Sequence, residues 1–246
     1  MTGLQTFDLA RLNLITIPDF ELPNNLRLGH LAEVVVSELI KASTNYNVLY
    51  ENVQLVEDNK TIGEIDFILE DAHTKQLLHM ELAYKFYLYD PNISSEPINN
   101  WIGPNRNDSL IKKLEKVKNK QFPLLFRNSA KLMIKKIDVG EVSQALCCLV
   151  SLYIPYGYSA SFSPEYEPAI KGYYLNFEKF IDFNHSEKYY YIPPKLEWGI
   201  DPADNENWTD FNGIEKYINT CMKEKQALLC WQKYGGIYLS FFIVWW

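Results

Sequence analysis

Two short runs hold the side chains most able to do chemistry. In GEIDFILE, residues 63–70, and HMELAYKFYL, residues 79–88, acidic residues stand inside otherwise apolar, strand-like sequence. Alternate residues of a strand share a face, so His79, Glu81, Ala83 and Lys85 point one way, and on the preceding run Glu64, Asp66 and Ile68 do the same. If Asp66 and Glu81 lie on the same side of adjacent strands, two carboxylates converge within reach of one cation. Oxygen-only ligation of that kind selects Mg²⁺ or Mn²⁺, which keep several waters. A metal so held polarises a phosphodiester and acidifies a bound water, while a nearby lysine steadies the nucleophile and the developing charge. The same residues also fit a solvated sheet face on which the carboxylates pair with Lys85, and spacing alone leaves both readings open.

The elements that must position these residues are legible from periodicity. Residues 26–43 read as a helix, with Leu31, Val34, Val35 and Leu39 at helical spacing, Val36 and Ile40 widening the buried face, and His30, Glu33, Ser37 and Lys41 on the polar side. Three strand-like runs follow, NVLYENVQLVE, TIGEIDFILE and QLLHMELAYKFYLY, separated by the turn-rich DNK and DAHTK. Links this short force antiparallel pairing, hence a three-stranded meander. After a loop from Pro91 to Pro104, Asp108 is a good N-cap for a helix SLIKKLEKVKNKQ, whose stripe is Leu110, Ile111, Leu114 and Val117 and whose lysines face outward. Residues 129–138 read as a short helix, and ALCCLVSLYI as a fully buried strand. Beyond Tyr156 the fragments GYYLNF and KYYYIPP read as strands, 212–225 as a helix, and Gly235-Gly236 as the turn of a hairpin. Their pairing is not readable.

Composition narrows the class. With 47% hydrophobic and 22% charged residues and 17 Tyr, 13 Phe and 6 Trp, the chain has ample material for a core and is not disordered. We expect one domain over 1–246, a core over 24–155 and an aromatic-rich extension, 156–246, packed on it. MTGLQTFDLARLNL lacks the basic-then-apolar pattern of a secretory signal, and the longest apolar run, IYLSFFIVWW, suits a buried strand better than a membrane span. Cys147 and Cys148 are neighbours in an apolar run, a poor disulfide arrangement, and no cysteine stands in a zinc-binding spacing. A reducing cytoplasm and no membrane partner are the expectation.

The net charge of −7 hides an asymmetry. Between residues 106 and 136, Arg106, Lys112, Lys113, Lys116, Lys118, Lys120, Arg127, Lys131, Lys135 and Lys136 face only Asp108 and Glu115, a net +8 against −15 for the rest. A phosphate-contacting surface has this signature, and so does an ordinary solvated helix face. No glycine-rich phosphate loop and no nucleophile elbow occurs, which argues against nucleotide-triphosphate chemistry and a hydrolase triad. His79 shares a face with Glu81 and fits either a supporting or a structural role.

The runs LRLGHLAE, GEIDFILE, HMELAYKFYL and WIGPNRNDSLIKKLEKVKNKQFPL resemble, in order, successive motifs of the bacterial family called domain of unknown function 1853, grouped with the PD-(D/E)XK nuclease superfamily. The resemblance covers roughly residues 20–130. It implies an α/β fold with a restriction-endonuclease-like core: a helix, a three-stranded antiparallel meander, a helix and a further strand. By the same resemblance Asp66 and Glu81 are the metal ligands, Lys85 the assisting lysine, Glu33 a helical helper, and Gln121 a contact to metal-bound water or substrate. The superfamily separates its acid and lysine by one residue, whereas Leu82, Ala83 and Tyr84 intervene here. That leaves Glu81 and Lys85 roughly 13 Å apart along a straight strand, unless a bulge shortens the gap or Lys112 or Lys113 supplies the charge instead. The function so implied is Mg²⁺- or Mn²⁺-dependent hydrolysis of phosphodiester bonds in DNA, with RNA second. Arg106, Lys112, Lys113, Lys116, Lys120 and Gln121 would hold the nucleic acid. A catalytically inactive nuclease fold that binds nucleic acid or a protein partner is the alternative.

Overall fold

The computed structural model describes residues 3–23, 26–135 and 137–246. The chain is a mixed α/β protein, and it divides into two units, Met1–Tyr84 with Lys112–Leu149, and Lys85–Ile111 with Val150–Trp246.

In the first unit, helix α1 (Leu28–Lys41) precedes strands β1 (Tyr46–Glu57) and β2 (Lys60–Asp71). Asp58 and Asn59 both adopt positive φ, which gives the tight two-residue hairpin whose twist suits antiparallel strands. Strand β3 (Leu77–Tyr89) returns after a turn in which the Asp71 carboxylate accepts from the backbone N–H groups of His73 and Thr74, at 2.9 and 2.8 Å. The short polar links thus do what their composition dictates, and β1–β2 and β2–β3 pair antiparallel.

Helix α1 lies over this meander. Val36 and Ile40, one turn apart, pack with Phe67, Leu69, Met80, Leu82, Ala145 and Cys147. The face differs from the one periodicity suggests: Leu31, Val34, Val35 and Leu39 are only half-buried, while Ser37, expected on the polar side, is buried. Its hydroxyl donates to the Glu51 carboxylate on β1, which makes the burial tolerable.

The expected single helix after Asp108 breaks into three conformations. Helix α2 (Leu110–Lys116) widens into a π turn, Val117–Gln121, which then tightens into a 3-10 segment, Phe122–Phe126. Pro123 supplies the reason, since it has no N–H and its ring crowds the carbonyl four residues earlier. Val117 and Phe122 pack with Ala83 and Leu146, and Leu124 and Leu125 with Leu55, Ile65 and Ile68. Gly63 marks how closely this segment rests on β2, for a Cβ there would lie 2.4 Å from a Leu124 methyl. Helix α3 (Asn128–Met133) follows, shorter than the 129–138 reading.

Strand β5 (Ser143–Pro155) lies beside β3, and on its other side Thr6 bridges to Leu146, with Leu146 donating to Gln5 and Phe7 to Leu146. The boundary between the units falls within β3 and within β5. In the second unit the end of β3 pairs with the two-residue β4 (Trp101–Ile102). The end of β5 pairs parallel with β6 (Ile170–Asn176), and β6 parallel with β9 (Ile237–Val244). The antiparallel set β7 (Tyr189–Tyr191), β8 (Leu228–Tyr234) and β9 completes it, with β8 and β9 joined at Gly235 and Gly236, both at positive φ. Helix α4 (Phe177–Ile181) contributes Phe180 and helix α5 (Phe211–Lys223) contributes Ile214, Ile218, Cys221 and Met222 to a core with Phe241 and Ile243. No helix among the described residues is long and apolar enough to cross a membrane.

Phe67 is fully buried between α1 and the meander and neighbours Asp66. Phe67→Ala should destabilise the chain by about 3–5 kcal/mol, read as a lowered urea midpoint. A loss below ~1 kcal/mol would show that this core does not hold β2.

Candidate functional site

The site begins where the β2–β3 ladder stops. Pairing runs Glu70↔Leu77, Leu69↔Leu78, Ile68↔His79 and Phe67↔Met80. The next residues along, Asp66 and Glu81, follow Ile68 and His79 on the same face by alternation. Here a side chain takes over from the backbone, because Oδ2 of Asp66 accepts the N–H of Leu82 at 2.8 Å. That bond fixes the Asp66 carboxylate against β3, beside Glu81.

Both acids are out of water, Asp66 at 7% exposure and Glu81 at 0%. Burial pushes Asp66 up to about 8, the Glu81 charge and that of Glu33 push the same way, and the Leu82 N–H and Lys113 oppose them. Burial likewise pushes Glu81 up to about 7, with Lys113 and the hydrogen bonds from Asp66 opposing and Glu33 reinforcing. Without a cation the pair therefore retains a proton near neutrality.

Glu81 is held at both oxygens. Gln121, from the end of the π turn, donates its Nε2 to Oε2, and the Lys113 ammonium on α2 donates to the Gln121 carbonyl oxygen at 3.1 Å. On the other side Nε2 of fully buried His79 lies 2.8 Å from Oε1. Burial lowers the His79 imidazole to about 4, so it stays neutral and this contact is a hydrogen bond between a neutral ring and a carboxylate. Gln144 on β5 stands 3.0 Å from His79 Nδ1. Sequence reading missed Gln144 because a glutamine in a buried strand carries no spacing signal toward a histidine 65 residues away.

Of the residues singled out in the sequence, Asp66, Glu81 and Gln121 thus come together, with Lys113 and Glu33 in their field. Glu33 pairs with His30 at 2.9 Å. Lys113 does not face outward as its place in a basic helix suggests; it is half-buried and its charge acts on both acids. Lys85 belongs to the second unit, where its ammonium meets Asp108 at 3.1 Å. Arg106, also in the second unit, pairs with Asp90 at 3.1 Å and stacks over the Trp246 ring at 4.5 Å. Lys112, Lys116 and Lys120 are exposed, as are Lys118, Arg127, Lys131 and Lys135, whereas Lys136 lies outside the described residues. Lys116, Lys120, Arg127, Lys131 and Lys135 make no ion pair among the described residues.

Other chemistry is disfavoured by the surroundings. Burial pushes the Cys147 thiol up to about 12 and raises Cys148 and Cys230 as well, the opposite of an activated nucleophile. His185 stacks on Phe211 and bonds Tyr190, a packing role within the second unit. Among the described residues no cluster of three or more His, Cys, Asp or Glu that could hold a metal ion is assembled.

Compared with known proteins, the chain matches over residues 4–234 a family model described as a domain of unknown function (DUF1853). No curated protein and no solved structure matches it.

The raised acids give the site a pH signature. Folded values near 8 and 7 lie above the ordinary carboxylate values of 3.8 and 4.5, so between them the folded chain keeps protons that the unfolded chain has released. In EDTA this contribution to stability is complete below about pH 4 and is lost as pH rises toward 8, at roughly 1.4 kcal/mol per pH unit for each retained proton. Asp66→Asn should therefore gain on the wild type between pH 5 and 8 in urea denaturation. A wild type that gains on Asp66→Asn over that range contradicts the buried pair.

Proposed function

This chain belongs to the DUF1853 family, and we propose that it is a divalent-metal-dependent nuclease whose site is built on Asp66 and Glu81. One observation carries the reading: two buried carboxylates meet on adjacent strands, and the strongest positive field on them comes from a lysine amine, Lys113. A protein does not leave two acids together in low dielectric without cost, and a cation is the partner that relieves it.

The donor set fits a hard cation. Both ligands are oxygen, and the N–H groups of Leu82, His79 and Gln121 use fewer lone pairs than two carboxylates offer. Two protein carboxylates suffice for Mg²⁺ or Mn²⁺, whose remaining positions are water. When bound there, the ion supplies Lewis acidity and an acidified water for phosphodiester hydrolysis. The chain's own residues do the remainder. Asp66 and Glu81, both buried, would give up their retained proton as the ion binds and present their negative charge to it. Lys113 is placed to offset charge that builds up on a phosphate, the task assigned by resemblance to Lys85, and Gln121 relays its position to Glu81. Glu33 adds negative potential that favours a cation over a proton-free pair.

The succession α1, β1–β3, α2 and β5 supports reading this part of the chain as a restriction-endonuclease-like core of the PD-(D/E)XK type. The exposed Lys112, Lys116 and Lys120 flank Lys113 along one segment and supply the phosphate contacts, to DNA ahead of RNA. Four free cysteines accord with a reducing cytoplasmic setting.

Labelled single- and double-stranded DNA and RNA, incubated with Mg²⁺, Mn²⁺ or EDTA, test this directly. Cleavage should need the metal and fall at least about a hundredfold in Asp66→Ala, Glu81→Ala and Lys113→Ala, while Lys85→Ala keeps most of it. Metal-dependent cutting that survives both carboxylate changes removes the site, and binding without cutting identifies an inactive nuclease fold. In the binding assay Lys116→Ala combined with Lys120→Ala should flatten the slope of log K against log salt by about 2. An unchanged slope puts the phosphates elsewhere.

A further inference from the structure

The bonds around Glu81 contain more than proximity, because two of them fix where protons are. Gln144 Nε2 donates to the backbone carbonyl of Phe122 at 2.8 Å. A carbonyl only accepts, so this contact settles which end of the Gln144 carboxamide is the NH₂. The same Nε2 stands 3.0 Å from Nδ1 of His79 and has a second hydrogen to give. Nδ1 must then be the bare, accepting nitrogen, and the ring proton sits on Nε2, 2.8 Å from Oε1 of Glu81. The ring has little freedom to rotate away, being fully buried and packed edge-on against Phe122 at 5.5 Å. Phe122 is therefore both the ring's wall and the reference for its tautomer.

The second side repeats the logic with other groups. Lys113 can only donate, so the Gln121 oxygen faces it and the Gln121 NH₂ faces Oε2 of Glu81. Besides its hydrogen bonds with Asp66, each oxygen of Glu81 thus receives an N–H whose direction is set by a group without choice, a carbonyl in one case and an ammonium in the other.

We propose that Gln144 is a positioning residue: it locks His79 as the Nε2–H tautomer, and that N–H together with Gln121 aims the remaining lone pairs of Glu81 at the cation it shares with Asp66. The consequence for cation binding rests on the metal-site reading above; the tautomer does not. Groups of this kind behind a metal ligand are worth roughly ten- to a hundredfold in affinity.

The test uses the full chain labelled with ¹⁵N-histidine and imidazole ¹H–¹⁵N spectra, with Mg²⁺ affinity followed by calorimetry. The chain has four histidines, so the His79 signals are those absent in His79→Gln. They should show Nε2 protonated and Nδ1 bare. Gln144→Glu, nearly isosteric but accepting where glutamine donates, should put a proton on Nδ1 and weaken Mg²⁺ binding about ten- to a hundredfold. Should that variant not fold, Gln144→Met removes the donor without adding charge, and the wild-type spectrum stands as a test alone. Nδ1 protonated in the wild type overturns the inference, as does Mg²⁺ affinity within twofold in a variant whose Nδ1 has lost its donor. A wild type with bare Nδ1 that binds Mg²⁺ but leaves DNA and RNA intact supports the inference and ends the nuclease reading. Metal-dependent cleavage with Nδ1 protonated does the reverse.

Discussion

The bond between the Asp66 carboxylate and the Leu82 N–H is the constraint on which the site depends. In an antiparallel pair a backbone N–H at that level ordinarily finds a carbonyl across the ladder. Here the ladder ends at Phe67 and Met80, and a side chain one residue further on satisfies the donor. Because the acceptor is a carboxylate, satisfying the backbone also brings a negative charge beside Glu81. Strand pairing and site chemistry are thus one arrangement, and neither Asp66 nor Leu82 can move without exposing an unpaired polar group.

The cost of that arrangement explains its surroundings. Two acids in a buried setting raise each other toward protonation, and the nearby groups are of two kinds. Neutral donors, His79 and Gln121, hold Glu81 without cancelling its charge. Charged groups act from the rim, with Lys113 favouring ionisation and Glu33 opposing it. Lys113 reaches Glu81 through Gln121 and lowers both acids without overcoming the effect of burial.

The meander, the helix before it and the hairpin at Gly235-Gly236 were legible because each is a local consequence of sequence: short polar links, apolar period and glycine at positive φ. Strand alternation gave the residues that share a face within each run, but whether Asp66 and Glu81 meet depends on the β2–β3 register, which the sequence left open. Three features were not local. The buried face of α1 takes in Ser37 beside Val36 and Ile40, and the bond that makes this tolerable goes to Glu51 on β1, a partner that helical period cannot reveal. The parallel pairings of β5, β6 and β9 join segments separated by intervening helices, loops and strands. Gln144 reaches the site only because β5 lies beside β3.

The lysines show where spacing along one strand stops being informative. On β3 the nearest lysine to Glu81 is Lys85, four residues on, and its ammonium meets Asp108. The amine that acts on the acids comes instead from a helix, and the π turn after α2 is what makes this workable. A regular helix running through to residue 121 would advance about 100° per residue, whereas the wider turn over Val117–Gln121 changes the direction in which Gln121 leaves the axis. Gln121 then meets both Lys113, eight residues earlier, and Glu81 on the sheet. The wide turn sits next to Pro123, so the residue that interrupts the helical ladder stands beside the turn that carries Gln121 to both Lys113 and Glu81. Lys113 on α2, and not Lys85 on β3, is thus the amine whose charge acts on Asp66 and Glu81, a partnership between elements that spacing along one strand does not reveal.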